Sequence, residues 1–332
     1  MMDVLDAQIL HALELAPRAP FRRIANAVDA SEQSVARRYH RMRRAGVMRV
    51  VGLVNPRVHG DTQWVTRIHA KPDRMPQLAE ALVRRSEVTH ANILSGGTEL
   101  VCVIRAPVGE SGDGLLLQQL PRTAAVLDIS VDLLLHAFGE PPTAPWSGYG
   151  HQLTGEQTAQ ILDGPAGLSP SGRPPAPTAQ DQALFDVLAD DGRAPQALMV
   201  QRTGWSVARV ARRMADLESA GTLLYDIDLL PEQLGFRLNA MLWLDVAPQH
   251  LHQVGEVIAA HREIAFAGAI SGRRNLLAIA ICRDVDDLYR YLTEQLAAVD
   301  HIHACEVSIR TQRLKQSASL ISRGRLVTAR RS

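Results

Sequence analysis

Residues 31–46 read SEQSVARRYHRMRRAG, and residues 206–221 read SVARVARRMADLESAG. Each run opens on a serine, Ser31 or Ser206, a residue that accepts a backbone hydrogen bond at a helix N-terminus. Each closes on an alanine and a glycine, Gly46 or Gly221, suited to the left-handed conformation that ends a helix. Between those signals Val35, Ala36, Tyr39 and Met42 recur at helical spacing in the first run. The offsets, 206 − 31 and 221 − 46, are both 175. Upstream, Ile9-Leu10 falls opposite Leu184-Phe185 at the same offset. Downstream, ILSG at 93–96 falls opposite AISG at 269–272, an offset of 176. Three landmarks at one offset, drifting by one residue, read as two tandem copies of a unit of about 140 residues.

Each unit divides again. Leu5, Ile9, Ala12 and Leu13 mark a first helix, and Phe21, Ile24, Ala25 and Val28 a second. The serine-capped run is the third, and residues 47–54 follow as a β-rich ribbon. Three short helices and a ribbon predict a winged helix-turn-helix. Strands are then expected near 64–70, 88–95, 99–106 and 125–137, with helices near 74–85 and 111–120. The second unit gives strands near 239–247, 264–270, 275–283 and 302–313, with helices near 249–261 and 285–298. This βαββαβ order is the ferredoxin-like arrangement, an antiparallel sheet with helices on one face. Its bare sheet face needs a partner, so a homo-oligomer, a dimer or larger, is expected.

The predicted fold class is therefore α+β: two winged helix-turn-helix domains (1–55 and 178–230) alternating with two ferredoxin-like domains (60–139 and 236–316). A linker at 140–177 separates the units. Residues 139–177 hold 8 of the 18 prolines and 7 of the 23 glycines, which rules out long helices and central strands there. One short helix is expected inside it, because Thr154-Gly155-Glu156-Gln157 has the spacing of a capping box. Residues 317–332 form a basic tail.

The 332 residues are 46% apolar, a globular composition that argues against disorder. No run of 18 apolar residues exists, so no transmembrane helix or membrane partner is expected. Residues 1–6 carry no basic segment leading into an apolar one, which points to the cytoplasm rather than secretion. Cys102, Cys282 and Cys305 form neither a C-x-x-C pair nor an even disulfide set. The net charge is only +1, but it divides unevenly. Residues 1–55 hold nine basic and five acidic side chains, net +4; residues 178–230 hold five and eight, net −3. From Arg310 to the end there are seven basic residues and no acidic one, open to two readings: an arm on phosphates or a disordered terminus.

The order of these motifs resembles the leucine-responsive regulatory protein/AsnC (feast/famine) transcriptional regulators. The resemblance runs through Leu5-Asp6, the pattern from Ser31, Asn55-Pro56 and the Ser95-Gly96 turn. In the second unit it runs through 206–221, Leu234-Gly235 and Ser271-Gly272. Ordinary members carry one copy, so this chain looks like a fused pair. The resemblance implies double-stranded DNA as partner. It also implies an effector, an amino acid or small metabolite, at the turns Ser95, Gly96, Gly97 and Thr98, and Ser271, Gly272, Arg273 and Arg274. Where the family usually has an acidic residue after the Ser-Gly turn, this chain has Gly97 and Arg273.

The first recognition helix is expected to dominate DNA affinity. Gln33, Ser34, Arg37 and Arg38 stand where base contacts are made, Arg41, Arg44 and Arg49 where phosphates lie, and Ser31 at the helix start is a further DNA-binding candidate. In the second helix Arg209, Arg212 and Arg213 are offset by Asp216 and Glu218. The plain alternative for both is a solvated arginine face.

No catalytic motif appears: there is no glycine-rich phosphate loop, G-x-S-x-G elbow or H-E-x-x-H. No enzyme, cofactor or metal site is expected. His301 and His303 share a face of an expected strand but lack a third ligand. One enzymatic alternative comes from resemblance: sirohaem decarboxylases of the same fold carry a histidine followed by a tyrosine-arginine stretch. His90 lies near that place, but Ala91-Asn92-Ile93-Leu94 follows it, and Phe266 stands opposite in the second unit. Another alternative is a metabolite-binding protein with degenerate DNA-binding heads.

Overall fold

The computed structural model describes residues 3–55, 58, 60–107, 126–139, 146, 148–162, 174–317 and 319–328. In chain order, helices α1 (Val4–Leu15), α2 (Phe21–Ala27) and α3 (Glu32–Ala45) lead into strand β1 (Met48–Val54). Next come β2 (Asp61–Ala70), α4 (Met75–Val83), β3 (Val88–Leu94), β4 (Glu99–Pro107) and β5 (Val126–Ala137). After α5 (Gly155–Leu162), three helices recur: α6 (Gln182–Asp190), α7 (Gln196–Thr203) and α8 (Val207–Ser219), followed by β6 (Leu223–Leu229). Then follow β7 (Leu238–Val246), α9 (Leu251–Ala259), β8 (Ile264–Ile270), β9 (Leu276–Cys282), α10 (Val285–Arg290) and β10 (Ile302–Gln316). A hairpin of β11 (Ser319–Ser322) and β12 (Arg325–Thr328) ends the described chain. The helix expected at 111–120 lies outside the described residues.

These elements gather into two compact units, one helical and one built on a sheet. The helical unit takes residues 2–61, 151–230 and 317–332, and the sheet unit takes 62–150 and 231–316.

In the helical unit, local chemistry sets the helix ends. Asp3 caps α1 and forms a reciprocal capping box with Asp6. Ser31 Oγ accepts from Ser34 N at 3.1 Å to start α3, and Gly46, at φ +70°, ends it. Ser206 starts α8 in the same way. Ile9, Leu10, Leu13, Ile24, Val35 and Tyr39 fill the first three-helix core. Leu184, Leu188, Met199, Val210 and Met214 fill the second. Each such buried side chain contributes about 1.5–3 kcal/mol of transfer free energy.

The expected ribbon at 47–54 needs correction. Those residues supply a single strand, and its antiparallel partner is β6, in full register from Met48 opposite Leu229 to Val54 opposite Leu223. A seven-residue strand cannot fold back on itself, so the ladder is completed by a strand 175 residues away. Gly192 closes the approach: its N–H donates to Val50 O at 2.8 Å, and a Cβ there would meet Val51 backbone at 3.0 Å.

The linker and tail also differ from expectation. The short linker helix forms as α5 with its Thr154–Gln157 capping bonds, but it packs on α1 and α2 and buries Ile161. Leu153 N donates to His11 Nδ1 at 2.9 Å. Leu153 and Ile161 are buried and hold this part of the linker down, while most residues around them stay exposed. Over residues 319–328 the tail is not an extended arm: β11 and β12 turn at Arg323-Gly324, both at positive φ, and Leu326 is buried.

In the sheet unit, the strands run β10-β3-β4-β2-β5-β8-β9-β7, and β10 also pairs with β7. The eight strands thus close into a ring. Residues from 62 to 137 give the order β3-β4-β2-β5; those from 238 to 316 give β8-β9-β7-β10. The two sets join through β5–β8 and β3–β10, both antiparallel. Apolar cores lie under α4 (Met75, Leu78, Leu82, with Ile68 and Leu100) and under α9 and α10 (Val254, Ile258, Leu288, with Leu242 and Leu276). A third cluster, Val65, Leu94, Val101, Met241, Trp243, Ile270 and Leu277, joins the opposite faces of the two sets. No helix among the described residues is long and apolar enough to cross a membrane.

Candidate nucleic-acid and effector surfaces

Helix α3 presents one outward stripe. Gln33, Arg37, Arg41 and Arg44 follow at spacings of four, four and three, and all four are exposed. Their donors suit phosphate oxygens and base edges. Arg38 points the other way. Its Nη1 donates to Asp3 Oδ2 at 2.6 Å and Asp6 Oδ1 at 2.9 Å, tying α3 to the start of α1. This pairing lowers the Asp3 carboxyl below the ordinary carboxylate range, the Arg38 hydrogen bond being the main cause. Arg41 also reaches Asp6 but stays 57% exposed. The Ser31 hydroxyl is engaged in the cap, accepting from the backbone N–H of Ser34.

Arg49 is corrected outright. It was expected at phosphates, but it is only 6% exposed. Its guanidinium donates to Ser319 Oγ at 2.9 Å, Asp190 O at 2.7 Å and Thr328 Oγ1 at 3.2 Å. The hairpin covers it, which sequence spacing could not foretell. The same hairpin serves the end of α3. Arg325 Nε donates to Ala45 O at 3.1 Å, its Nη2 donates to Arg44 O, and Leu326 N donates to Gly46 O at 2.9 Å. Two donors of one cation and a backbone N–H thereby satisfy carbonyls that the helix leaves open. Two further basic residues of the expected arm are spent likewise. Arg310 meets Glu232 at 2.5 Å, and Lys315 Nζ donates to the carbonyls of Val83 and Arg85 at 3.0 and 2.8 Å.

On α8, Arg213 repeats the inward role of Arg38. Its Nε and Nη2 donate to the two oxygens of Asp181 at 2.7 and 2.6 Å, and this bidentate pair holds the Asp181 carboxyl down at about 2. The positions again differ by 175, for the arginine (213 − 38) and for the aspartate (181 − 6). Arg209 lies over the Trp205 ring at 4.4 Å and donates to Gln180 Oε1 at 2.8 Å. Arg212 is exposed. The second helix thus offers fewer outward cations than the first.

Two arginines missed in the sequence join the three-helix sets. Arg193 donates to Pro17 O at 2.7 Å and Ala19 O at 2.8 Å, with its guanidinium 4.5 Å from the centre of the Phe21 ring. Arg18 donates to Gly192 O and lies over Tyr225.

The turns expected to hold an effector sit against strands of the opposite set. Ser271 N donates to Leu133 O at 3.0 Å, and Leu133 N donates back to Ser271 Oγ at 2.9 Å. A Cβ on Gly272 would meet the Asp132 carboxylate at 2.4 Å, so only glycine fits without displacement. Burial raises the Asp132 carboxyl, with Arg67 opposing. Arg274 is half-buried and lies 3.6 Å from Asp245, and Arg273 is exposed. In the other turn, Ser95 Oγ donates to Glu99 Oε2 at 2.8 Å, Thr98 Oγ1 donates to Ser95 O at 2.8 Å, and Gly96 and Gly97 take positive φ. Beside this turn Arg67 Nε donates to Glu99 at 2.5 Å, its Nη2 reaches Glu306, and the guanidinium lies over Trp243 at 4.7 Å. Glu99 is fully buried, so a charged network joins the two sets at this point.

The other chemistry is sparse. The Cys102 and Cys282 thiols are pushed up to about 12 by burial, a state unsuited to nucleophilic attack. His301 does not share a strand face with His303: it precedes β10 at φ +69° and stacks on His250 with ring centres 3.5 Å apart. His90, on β3, lies 3.1 Å from Thr89 Oγ1. Where no metal ligands were expected, the fold brings His136, His252 and Glu256 together.

Comparison with known proteins gives two domain matches. An AsnC-type helix-turn-helix domain matches residues 2–43, and an Lrp/AsnC ligand binding domain matches residues 239–320. An uncharacterized HTH-type transcriptional regulator of Pyrococcus abyssi is 27% identical over 132 residues, 40% of this chain and 84% of its own. The HTH-type transcriptional regulator LrpA of Pyrococcus horikoshii is 25% identical over 137 residues, 41% of this chain and 97% of its own. The crystal structure of the siroheme decarboxylase NirDL superposes with a TM-score of 0.62, covering 95% of this chain and 93% of that one. At 15% identity that likeness is one of fold.

Proposed function

From a chain that carries an AsnC-type helix-turn-helix domain and an Lrp/AsnC ligand-binding domain, the two parts of an Lrp/AsnC-family transcriptional regulator, we propose a regulator built as a fused double copy. The observation that carries this reading is the outward stripe Gln33, Arg37, Arg41 and Arg44 on a capped helix that the matched domain covers up to Arg43. The helix would enter the major groove of double-stranded DNA, with Gln33 and Arg37 at base edges and Arg41 and Arg44 at phosphates. The second helix, with Arg209 and Arg213 occupied, contributes less affinity. The repeated offset of 175, carried by Arg38–Asp6 and Arg213–Asp181, supports the double copy.

In this reading an amino acid or small metabolite binds at the turns 95–98 and 271–274. Both turns lean on the opposite set, so occupancy there biases how the sets meet, and DNA affinity responds reciprocally. Higher homo-oligomers form by association of such chains. Selection of bound genomic fragments, with and without an amino-acid pool, tests the proposal. Enrichment of discrete fragments that shifts with the pool supports it, and absence of enrichment sinks it.

A second reading, a sirohaem decarboxylase, is favoured by the fold likeness across nearly the whole chain. The residues after His90 (Ala91, Asn92, Ile93) and Phe266 supply no arginine for the substrate's carboxylates. A stoichiometric absorbance change on sirohaem titration would reverse the preference.

A further inference from the structure

His136 is the penultimate residue of β5, while His252 and Glu256 are four apart on α9 and share its face. One ligand atom from each lies within 4.8 Å of the other two, although His136 and His252 are 116 residues apart in the chain. We propose that His136, His252 and Glu256 form a binding site for a borderline divalent cation of the Zn2+ type.

Three observations support a built site. Phe138 fixes the approach of strand to helix. A Cβ on Gly255 would fall 2.4 Å from the Phe138 ring, so the helix carries a glycine where that ring must pass. The same ring packs edge-on against His136 at 4.9 Å and lies 5.9 Å from His252, restricting both imidazoles. Gly139 N donates to Glu256 Oε2 at 3.4 Å, orienting the carboxylate toward the histidines. The chemistry of the set is selective. Two imidazoles and one carboxylate suit Zn2+, Co2+ or Ni2+, whereas Mg2+ and Ca2+ prefer oxygen alone. Bond lengths of about 2.0–2.2 Å in a tetrahedron bring ligand atoms to about 3.3 Å of one another. His136 and His252 are exposed and Glu256 half-buried, so a rotamer adjustment of about an ångström closes the gap. A fourth position stays open to water. The cation would fasten β5 of the first set to α9 of the second, across the join made by β5 and β8.

The site is independent of the DNA-binding reading. The test is titration of the full, untagged, metal-stripped chain with Co2+, followed by displacement with Zn2+. The expected result is one ion per chain, visible ligand-field absorbance that Zn2+ abolishes, and no competition from Mg2+. Zn2+ at a hundredfold excess over Kd should raise the melting temperature by about 5 °C or more. H136A and H252A should each weaken binding at least tenfold, and E256Q by a smaller factor. In EDTA the two α9 variants should melt like the parent chain, so loss of binding there reads as loss of a ligand. No binding, or binding that survives both H136A and H252A unchanged, overturns the proposal. H301A should bind as the parent does; if it alone abolishes binding, the site is the His250–His301 stack instead and the proposal fails.

Discussion

Arg193 donates to the carbonyl of Pro17 at 2.7 Å, and Arg18 returns the same contact to the carbonyl of Gly192. Both steps, 193 − 18 and 192 − 17, are 175 residues. One interaction therefore occurs twice, once from each three-helix set, as an isologous interface between two copies would require. Arg193 is the more deeply engaged of the two, with a second carbonyl at Ala19 and the Phe21 face beneath it. R193A is expected to lower the stability of the helical unit by about 1–3 kcal/mol, since it leaves two part-buried carbonyls without a charged donor. Urea denaturation followed by far-UV circular dichroism measures this, and a midpoint equal to that of the parent chain would contradict it.

The Asp181–Arg213 pair makes a prediction about acid. Arg213 holds the Asp181 carboxyl at about 2, down from 3.8. A depressed carboxylate stabilises the fold above its unfolded pKa, and the contribution disappears as pH falls from about 3.8 to about 2. D181N should therefore remove about 2 kcal/mol at neutral pH and leave a shallower acid limb below pH 4. Stability profiles of the two proteins that stay parallel down to pH 2 would refute this.

Arginines on α3 and on β1 just after it should separate by direction. R44A is expected to weaken DNA binding about tenfold and to reduce the slope of log K against log salt by about 1, because the exposed Arg44 stands at a phosphate in the proposed complex. R38A should mainly lower stability, because it frees the carboxylates of Asp3 and Asp6. R49A should leave the salt slope unchanged, as its guanidinium is buried under the hairpin. Salt titrations of binding beside thermal melts distinguish the three, and equal salt-slope losses from all three would overturn the assignment.

The hairpin's hold on α3 can be tested through Leu326, only 5% exposed. L326A should cost about 2–3 kcal/mol by the loss of buried methyl groups. It should also speed proteolysis within 319–328. A free arm would be cut rapidly in the parent chain, and such cutting would disprove the packing described here.

What the sequence made legible followed local rules. Serine caps, glycine stops and apolar periodicity placed α3, α8 and nearly every strand of the sheet unit to within a few residues, because these signals act within one turn or one strand. The pairing of β1 with β6 was not legible, since a strand's pattern does not name its partner. The inward turn of Arg38 depended on carboxylates 32 and 35 positions earlier. For Arg18 and Arg193 a signal did exist: Pro17-Arg18-Ala19-Pro20 recurs as Gly192-Arg193-Ala194-Pro195. Read as a repeat, it would have marked both arginines as paired. His252 and Glu256 were readable as one helix face, but His136 comes to them only through the β5–β8 join.

The ring of eight strands closes within one chain, and so does the β1–β6 ladder. Partners that meet from separate chains part on dilution, whereas tethered ones face each other at an effective concentration in the millimolar range for short connections. A cell could therefore keep this protein at a handful of molecules without losing the paired geometry. If the chain is the double-copy regulator proposed above, its halves are never interchangeable, so each would be free to drift toward its own half-site, and the DNA it selects need not be a palindrome.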